Sequence, residues 1–123
     1  MPHLRIHTNL TKDLFTEEFI KNVTQKLATV FSLPPFAVLF SLSANETFYY
    51  VDSFDPAAFI VLGNLADAPD EEQNQQCAEI IFEAMKEVGV PQNRIDIAFN
   101  LYPKTCVAMD GKVFSKWKRY QQS

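Results

Sequence analysis

The sequence contains an internal repeat, which becomes visible when the chain is shifted by 57 residues against itself. The shift places Pro34 on Pro91, and it superimposes three alternating apolar residues of one segment on those of another: Val38 on Ile95, Phe40 on Ile97 and Leu42 on Phe99. Each half follows the order strand, helix, strand, and such self-similarity indicates that one supersecondary unit occurs twice. Because crossovers between parallel strands are right-handed, both helices are expected on the same side of one sheet. The sequence therefore predicts an α/β (α+β) fold, a tandem β-α-β repeat in which a four-stranded mixed sheet carries two helices on one face.

Hydrophobic periodicity places the elements of the first half. Residues 4–9 alternate between apolar and polar side chains, which is typical of a strand with one buried face. Within residues 15–31 apolar side chains recur at spacings of about four, which predicts a helix of about 16 residues. Thr11 and Asp13 are the candidate N-caps of this helix.

The remaining elements follow from alternation, continuous apolar composition and turn residues. Further strands are predicted at residues 36–43, 47–51, 57–65 and 90–102, the second of them short and aromatic. The proline and the acids of residues 68–76 suit the N-terminus of a second helix, and Gly89 is well placed to terminate that helix. Asp110 and Gly111 predict the turn of a small closing hairpin.

Composition limits the size of the fold and the classes of partner. A chain of 123 residues with 47% apolar content is long enough for one domain with a core. Its 11 phenylalanines are many for this length, so we expect the uncovered sheet face to be buried by self-association. A net charge of −4 disfavours nucleic acid as a partner, because neutralising phosphates requires an excess of basic residues. No apolar stretch reaches the length of about 18 residues expected of a membrane span, and the two cysteines have no metal-binding spacing.

Four short segments carry a resemblance to a known family. They are Pro2 with the run "HLRIHTNL" after it, the pair Pro34-Pro35, the turn Asp55-Pro56 and the segment "QNRIDI" that opens the late strand. In this order and spacing they resemble the macrophage migration inhibitory factor and D-dopachrome tautomerase family, within the tautomerase superfamily. The resemblance implies a single tautomerase-like domain at residues 1–114, followed by a basic C-terminal tail at residues 115–123. It also implies a homotrimer in which the N-terminal proline is a catalytic base at a subunit interface, with no cofactor and no metal.

The chemistry expected of Pro2 depends on a free amine. An α-amine has a pKa of about 7.7 to 8.0, and desolvation in an apolar cavity lowers that pKa because burial disfavours the cation. The neutral amine can take a proton from the carbon next to a carbonyl and return it elsewhere. This is a keto–enol or dopachrome-type isomerisation of a small enolisable carbonyl ligand. A retained Met1 would turn the nitrogen into a tertiary amide, so removal of Met1 is a condition of the activity.

The resemblance also assigns substrate-binding positions. The family position whose backbone amide lines the pocket corresponds to Leu65, with Asn64 beside it, and the apolar walls are kept as Val107 and Phe114. The substrate-binding lysine of the family corresponds to Leu33, so the pocket cation is missing. Leu33 is therefore either part of a deliberately altered pocket or a core residue.

Other positions of the pocket also depart from the family pattern. Asp96 and Ala98 stand where migration inhibitory factor has a tyrosine and an asparagine, and Met109 replaces a tryptophan near the pocket mouth. An Asp96 carboxylate in the pocket would repel a substrate carboxylate and favour the protonated form of Pro2, whereas an Asp96 that faces solvent would do neither. An Asp96 that points into the pocket and the leucine at position 33 would act in the same direction, and both would weaken the usual reaction.

Three basic side chains near these positions leave alternatives open. His3 either shifts the basicity of its neighbour Pro2 or binds a ligand, or it is a structural residue at the start of a strand. Arg5 and Arg94 are candidate replacements for the missing cation, and strand alternation decides whether Arg5 faces the right side.

Two functions are compatible with these residues. The first is a cofactor-free tautomerase with weak activity on carboxylated enols such as phenylpyruvate and a preference for neutral or cationic ligands. The alternative is a secreted, cytokine-like signalling protein that binds a cell-surface receptor and keeps a vestigial catalytic pocket. No signal peptide is recognised, which predicts a cytoplasmic location with leaderless secretion to the extracellular space. The basic tail is expected to be solvated, or to bind an acidic surface or polyanion.

Overall fold

The computed structural model of the protein describes residues 2–117, and residues 118–123 of the predicted tail lie outside that range. Four strands form the main sheet: β1 (His3–Thr8), β2 (Leu39–Ser43), β3 (Ala58–Leu65) and β4 (Ile95–Tyr102). Their order is β2-β1-β3-β4, with parallel pairs β1–β2 and β3–β4 joined by the antiparallel pair β1–β3. Helices α1 (Glu17–Val30) and α2 (Glu71–Glu87) connect the strands of each parallel pair. The structure therefore confirms the mixed sheet and the tandem β-α-β topology.

The sequence repeat is visible in the structure. Two 3-10 turns, Pro35–Ala37 and Gln92–Arg94, occupy equivalent positions of the two halves, and each begins directly after a proline. Each turn leads the chain from a helix into an edge strand of the sheet. The predicted closing hairpin is also confirmed, with β5 (Ala108–Met109) paired antiparallel to β6 (Lys112–Val113).

The helix ends are only partly as predicted. The N-cap prediction for α1 was wrong: Thr16 is the cap, and its hydroxyl accepts a hydrogen bond from the Phe19 amide at 3.1 Å. Thr11 instead precedes a separate 3-10 turn at Lys12–Leu14, which also contains the other candidate, Asp13. In α2, the Asp70 carboxylate caps the acidic first turn. Gly89 follows Val88, the C-cap of α2. Its φ of +102° is typical of a glycine that terminates a helix, as predicted.

The predicted aromatic strand at residues 47–51 does not form. Tyr50 makes a single bridge to Ser53, and between them Val51 and Asp52 adopt φ values of 50° and 55°. A β-branched residue in this left-handed region is strained, so the segment must be held by other contacts. The aromatic and β-branched composition that suggested a strand belongs to a tight turn.

Arg94 supplies those contacts. Its guanidinium is buried and donates hydrogen bonds to four carbonyl oxygens of the turn, those of Tyr50, Ser53, Asp55 and Pro56, at 2.6 to 3.2 Å. These carbonyls are therefore paired with a side chain and not with a neighbouring strand. We refer to residues 50–56 with Arg94 as the arginine-centred loop.

Both helices pack on the same face of the sheet, as predicted. One apolar cluster joins Leu4 and Ile6 of β1 to Leu27 of α1, Ile60 of β3 and Ile81 of α2. All five side chains are nearly inaccessible to solvent. Burial of these side chains on one side of β1 leaves the alternate residues of the strand on the opposite face of the sheet.

The opposite face carries exposed apolar side chains. Leu39 of β2 and Phe59 of β3 keep 63% and 42% of their surface exposed, and both belong to the residue set that faces away from the helices. Arg5 and His7 of β1 share this face, which we call the open face of the sheet. None of the described helices is both long and apolar enough to cross a membrane.

Candidate active site

Pro2 is buried at the start of β1, between two other strands. Its side chain is among the most completely buried of the described residues, and its carbonyl oxygen accepts a hydrogen bond from the Leu39 amide at 3.0 Å. Extending the two strand registers by one residue places Pro2 opposite Val38 on one side and Asn64 on the other. The Leu39 hydrogen bond therefore holds the backbone of Pro2 to β2, and β3 lies on its other side.

A cavity of about 490 Å³ is lined by residues next to Pro2, although Pro2 itself is not among the lining residues. His3, which follows Pro2 in the sequence, and Leu39, whose amide donates a hydrogen bond to the Pro2 carbonyl, both line this space. Among residues 2–117 the lining consists of His3, Phe36, Ala37, Val38, Leu39, Val107, Ala108, Met109 and Phe114. Two of the predicted site residues, Val107 and Phe114, line this cavity, and the Phe114 amide donates a hydrogen bond to the Val107 carbonyl at 2.8 Å. We refer to this space as the Pro2 cavity.

Three other predicted site residues line a second, smaller cavity. Leu33, Asn64 and Leu65 surround a space of about 400 Å³ between the ends of the helices and the sheet. Pro2 lies between the two spaces, since it is opposite Val38 of one and Asn64 of the other. Leu33 also packs against the apolar core, so both interpretations of this residue have a contact in the structure.

Asp96 lies away from Pro2 within the same chain. It pairs with Phe59 on β3, whereas the residue of β4 at the level of His3 is Asn100, four residues further along the strand. The Asp96 carboxylate is exposed and accepts a hydrogen bond from the Tyr50 hydroxyl at 2.8 Å. This hydrogen bond is the main cause that raises the pKa of Tyr50. Asp96 can therefore approach a Pro2 cavity only from another copy of the chain, and its role there stays a prediction.

His3 occupies a hollow that the sequence does not reveal. Its ring lies over Gly63 of β3, where a Cβ atom would overlap the ring, and it meets the edge of Tyr102 with ring centroids 5.6 Å apart. Its Nε2 atom is buried and has no hydrogen-bond partner among the described residues. Burial, followed by the charges of Arg5 and the amino terminus, lowers the pKa of His3, so its ring is neutral at pH 7.

The fold and these positions can be compared with known proteins. The family model described as macrophage migration inhibitory factor (MIF) matches residues 1–115. The chain belongs to this family. The MIF-like protein mif-2 of Caenorhabditis elegans is 24% identical over 111 residues, which cover 90% of this chain and 92% of that protein. The macrophage migration inhibitory factor homolog of Brugia malayi is 23% identical over 114 residues, which cover 93% of this chain and 99% of that protein.

Solved structures of the family have the same fold. The macrophage migration inhibitory factor of Trichinella spiralis superimposes with a TM-score of 0.80 at 20% identity, covering 89% of this chain and 97% of that one. The homologue from Prochlorococcus marinus gives a TM-score of 0.81 at 20% identity, covering 91% of this chain and 98% of that one. The backbone of the MIF fold is thus retained at an identity low enough for the site residues to differ.

The candidate cations of this MIF-family protein do not line the Pro2 cavity. The prediction that Arg94 replaces the missing lysine was wrong, because its guanidinium is buried and committed to four backbone carbonyls. Arg5 lies on the open face, paired with Ser41 and Val61, two residues along β1 from His3. Within residues 2–117, no group of three or more histidine, cysteine, aspartate or glutamate side chains is placed to hold a metal ion.

We expect Gly63→Ala to destabilise the protein by about 1 to 3 kcal/mol, the usual cost of overpacking a filled site. The methyl group would overlap the His3 ring and approach the Tyr102 ring. In a His3→Ala background the same change should cost less than about half as much, because the ring that it strikes is gone. Urea denaturation of the four proteins measures this coupling. Equal costs of Gly63→Ala in both backgrounds would contradict the described position of His3.

Proposed function

We propose that this MIF-family protein is a cofactor-free tautomerase that uses the amine of Pro2 as its base. The observation that carries the proposal is the position of Pro2, which is fully buried and hydrogen-bonded to β2, with an apolar cavity lined by its neighbours His3, Val38 and Leu39. A volume of about 490 Å³ suits a small ligand, since small-molecule sites span about 300 to 1,000 Å³. Val107 and Phe114 are its proposed apolar walls, and Asn64, Leu65 and Leu33 its proposed contacts on the other side of Pro2.

The proposed reaction moves one proton and needs no redox partner. The Pro2 amine, free once Met1 is removed, takes a proton from the carbon next to the carbonyl, a C=C bond forms, and the carbonyl oxygen becomes an enolate. A proton then returns to oxygen, or to another carbon in a dopachrome-type substrate, and the amine is neutral again. Burial supports the base form, because desolvation disfavours an ammonium ion at this position.

A continuous absorbance assay with an enol substrate tests this function. Protein whose N-terminus is verified as Pro2 by intact mass should accelerate ketonisation above the buffer rate, with weak activity on the carboxylated enol of phenylpyruvate. Buffer-level rates for the acid and for its methyl ester in such a sample would contradict the proposed function.

We further propose a homotrimer in which the open face of the sheet lies at subunit contacts. The exposed apolar Phe59 favours such burial, and a neighbouring copy is the route by which Asp96 can reach Pro2. Native protein is then expected to sediment at three times the 14.1 kDa chain mass. Phe59→Lys should shift the protein toward monomer, while Gln25→Lys on the exposed side of α1 should not. A native monomer at micromolar concentration would contradict the trimer.

A secreted, cytokine-like signalling role is the second candidate function. It is favoured by the replacement of the family's pocket lysine by Leu33, which removes a group used for substrate but not the fold. In this role the protein is made in the cytoplasm, leaves the cell without a leader and binds a cell-surface receptor. Receptor binding that is unchanged by Pro2→Gly would support this role. Absence of the protein from extracellular fluid would count against it.

A further inference from the structure

The Pro2 cavity contains almost no charge. Among the described residues that line it, His3 is the one with a basic side chain, and none carries a carboxylate. Burial lowers the pKa of His3, so this ring does not supply a positive charge at pH 7. The other eight lining residues are aliphatic, aromatic or thioether side chains.

Among the described residues, the lysine and arginine side chains near the Pro2 cavity do not line it. Arg94 is bound by four carbonyl oxygens of the arginine-centred loop, and Arg5 is exposed on the open face of the sheet. Lys112 pairs with the lining residue Met109 across the hairpin, but its ammonium group lies over the Trp117 ring, 5.7 Å from the centroid. Lys104 lines the second cavity, with Asn64 and Leu65, and not the Pro2 cavity. A carboxylate bound in the Pro2 cavity itself would therefore meet no Lys or Arg side chain among the described lining residues.

We propose that the Pro2 cavity selects an uncharged, aryl- or alkyl-substituted carbonyl compound and discriminates against the corresponding carboxylate. This inference rests on the proposed function of Pro2. A carboxylate that gives up its hydration to pack against these apolar walls gains no salt bridge from them, which is strongly unfavourable. The apolar body of a ligand gains free energy from the same walls, at about 25 cal/mol per Å² of apolar surface removed from water.

The neutral substrate undergoes the same proton transfer as the acid. Pro2 takes the proton from the carbon between the aryl group and the ketone, and the ketone oxygen receives a proton as the enol forms. The ester group of an uncharged substrate exchanges no proton in the step, but it withdraws electrons from the adjacent ketone more strongly than a carboxylate does. Turnover of an acid and its methyl ester is therefore compared after correction for their uncatalysed rates, and a ketone-free pair reports the effect of charge on binding.

The test compares phenylpyruvate with its methyl ester, using protein with a verified Pro2 N-terminus. We expect kcat/KM for the ester to exceed that for the acid by about tenfold or more, after correction for the uncatalysed rates, because only the acid must bury an unpaired charge. Met109→Lys places a cation in the cavity wall and should shift this ratio toward the acid by about tenfold. Met109→Gln, a neutral side chain of similar length, is the matched control and should leave the ratio within about twofold.

A binding measurement separates failure of this inference from failure of the proposed function. Calorimetric titration with 3-phenylpropanoate and its methyl ester, which lack the ketone, reports selectivity without turnover. Tighter binding of the ester with no turnover of either phenylpyruvate compound would overturn the catalytic proposal and support the selectivity. Tighter binding or faster turnover of the acids by the native protein would overturn the selectivity.

Discussion

Protein that begins at Pro2 is expected to ketonise enol phenylpyruvate methyl ester at least ~100-fold faster than protein in which one alanine precedes Pro2. The added residue converts the secondary amine into a tertiary amide, which has no basic lone pair. The backbone of Pro2 is held to β2 by the Leu39 amide, so the added residue alters the nitrogen at a position that the sheet defines. A positioned general base contributes about 10² to 10⁴ in rate, which sets the size of the expected loss.

The comparison requires that both proteins have the same fold. Intact mass confirms each N-terminus, and equal thermal unfolding midpoints show that the extra alanine leaves the core unaltered. Because Pro2 is buried, a second variant, Pro2→Gly, keeps a free amine and serves as a check on packing. Full activity in the alanine-extended protein would exclude Pro2 as the base.

Replacement of Arg94 is expected to produce the largest loss of stability. Arg94→Met should lower the free energy of unfolding by about 3 kcal/mol, because four carbonyl oxygens lose charged donors and a hydrogen bond to a charged group contributes about 1.5 to 3 kcal/mol. The expected loss is below the sum of four such bonds, since water can reach part of the loop once the guanidinium is gone. Urea denaturation at one fixed protein concentration measures the effect, because unfolding of an oligomer depends on concentration.

Two variants control this prediction. Arg94→Lys keeps the charge but offers no planar fork of donors, so it should recover only part of the lost stability. Lys26→Met removes an exposed charge of α1 and should change the free energy of unfolding by less than about 0.5 kcal/mol. A change of less than about 1 kcal/mol for Arg94→Met would contradict the role of the arginine-centred loop.

The fold could be predicted from the sequence wherever buried apolar residues recur at a regular spacing. The regularly spaced apolar residues of α1 and the alternating apolar residues of β1 pack in a single core. Because of the sequence repeat, the second half of the chain has the same pattern. The segment at residues 47–51 was predicted wrongly because its conformation depends on Arg94, which is distant in sequence. The cap of α1 was missed because Thr11, Asp13 and Thr16 are all able to cap, and only the last directly precedes the acidic first turn.

The candidate site was predictable to the extent that it depends on strand order. Pro2, Val107 and Phe114 were expected together, and the structure brings Val107 and Phe114 to the cavity beside Pro2. The packing of His3 over Gly63 was not predicted, because it requires the register between two antiparallel strands. A glycine inside an apolar strand is a signal of close approach, but it does not say which side chain fills the space.

The protonation state of Pro2 is the central claim and can be measured directly. In protein labelled with ¹⁵N-proline and lacking Met1, the Pro2 amine has a nitrogen chemical shift distinct from those of the amide prolines, and it can be followed through a pH titration. Because Pro2 is buried, we expect the midpoint to fall below about 7.7, the lower end of the ordinary range for an α-amine, so that the base form dominates above that pH. A midpoint above about 8.0 would mean that Pro2 is largely protonated at neutral pH, and it would contradict its role as the base.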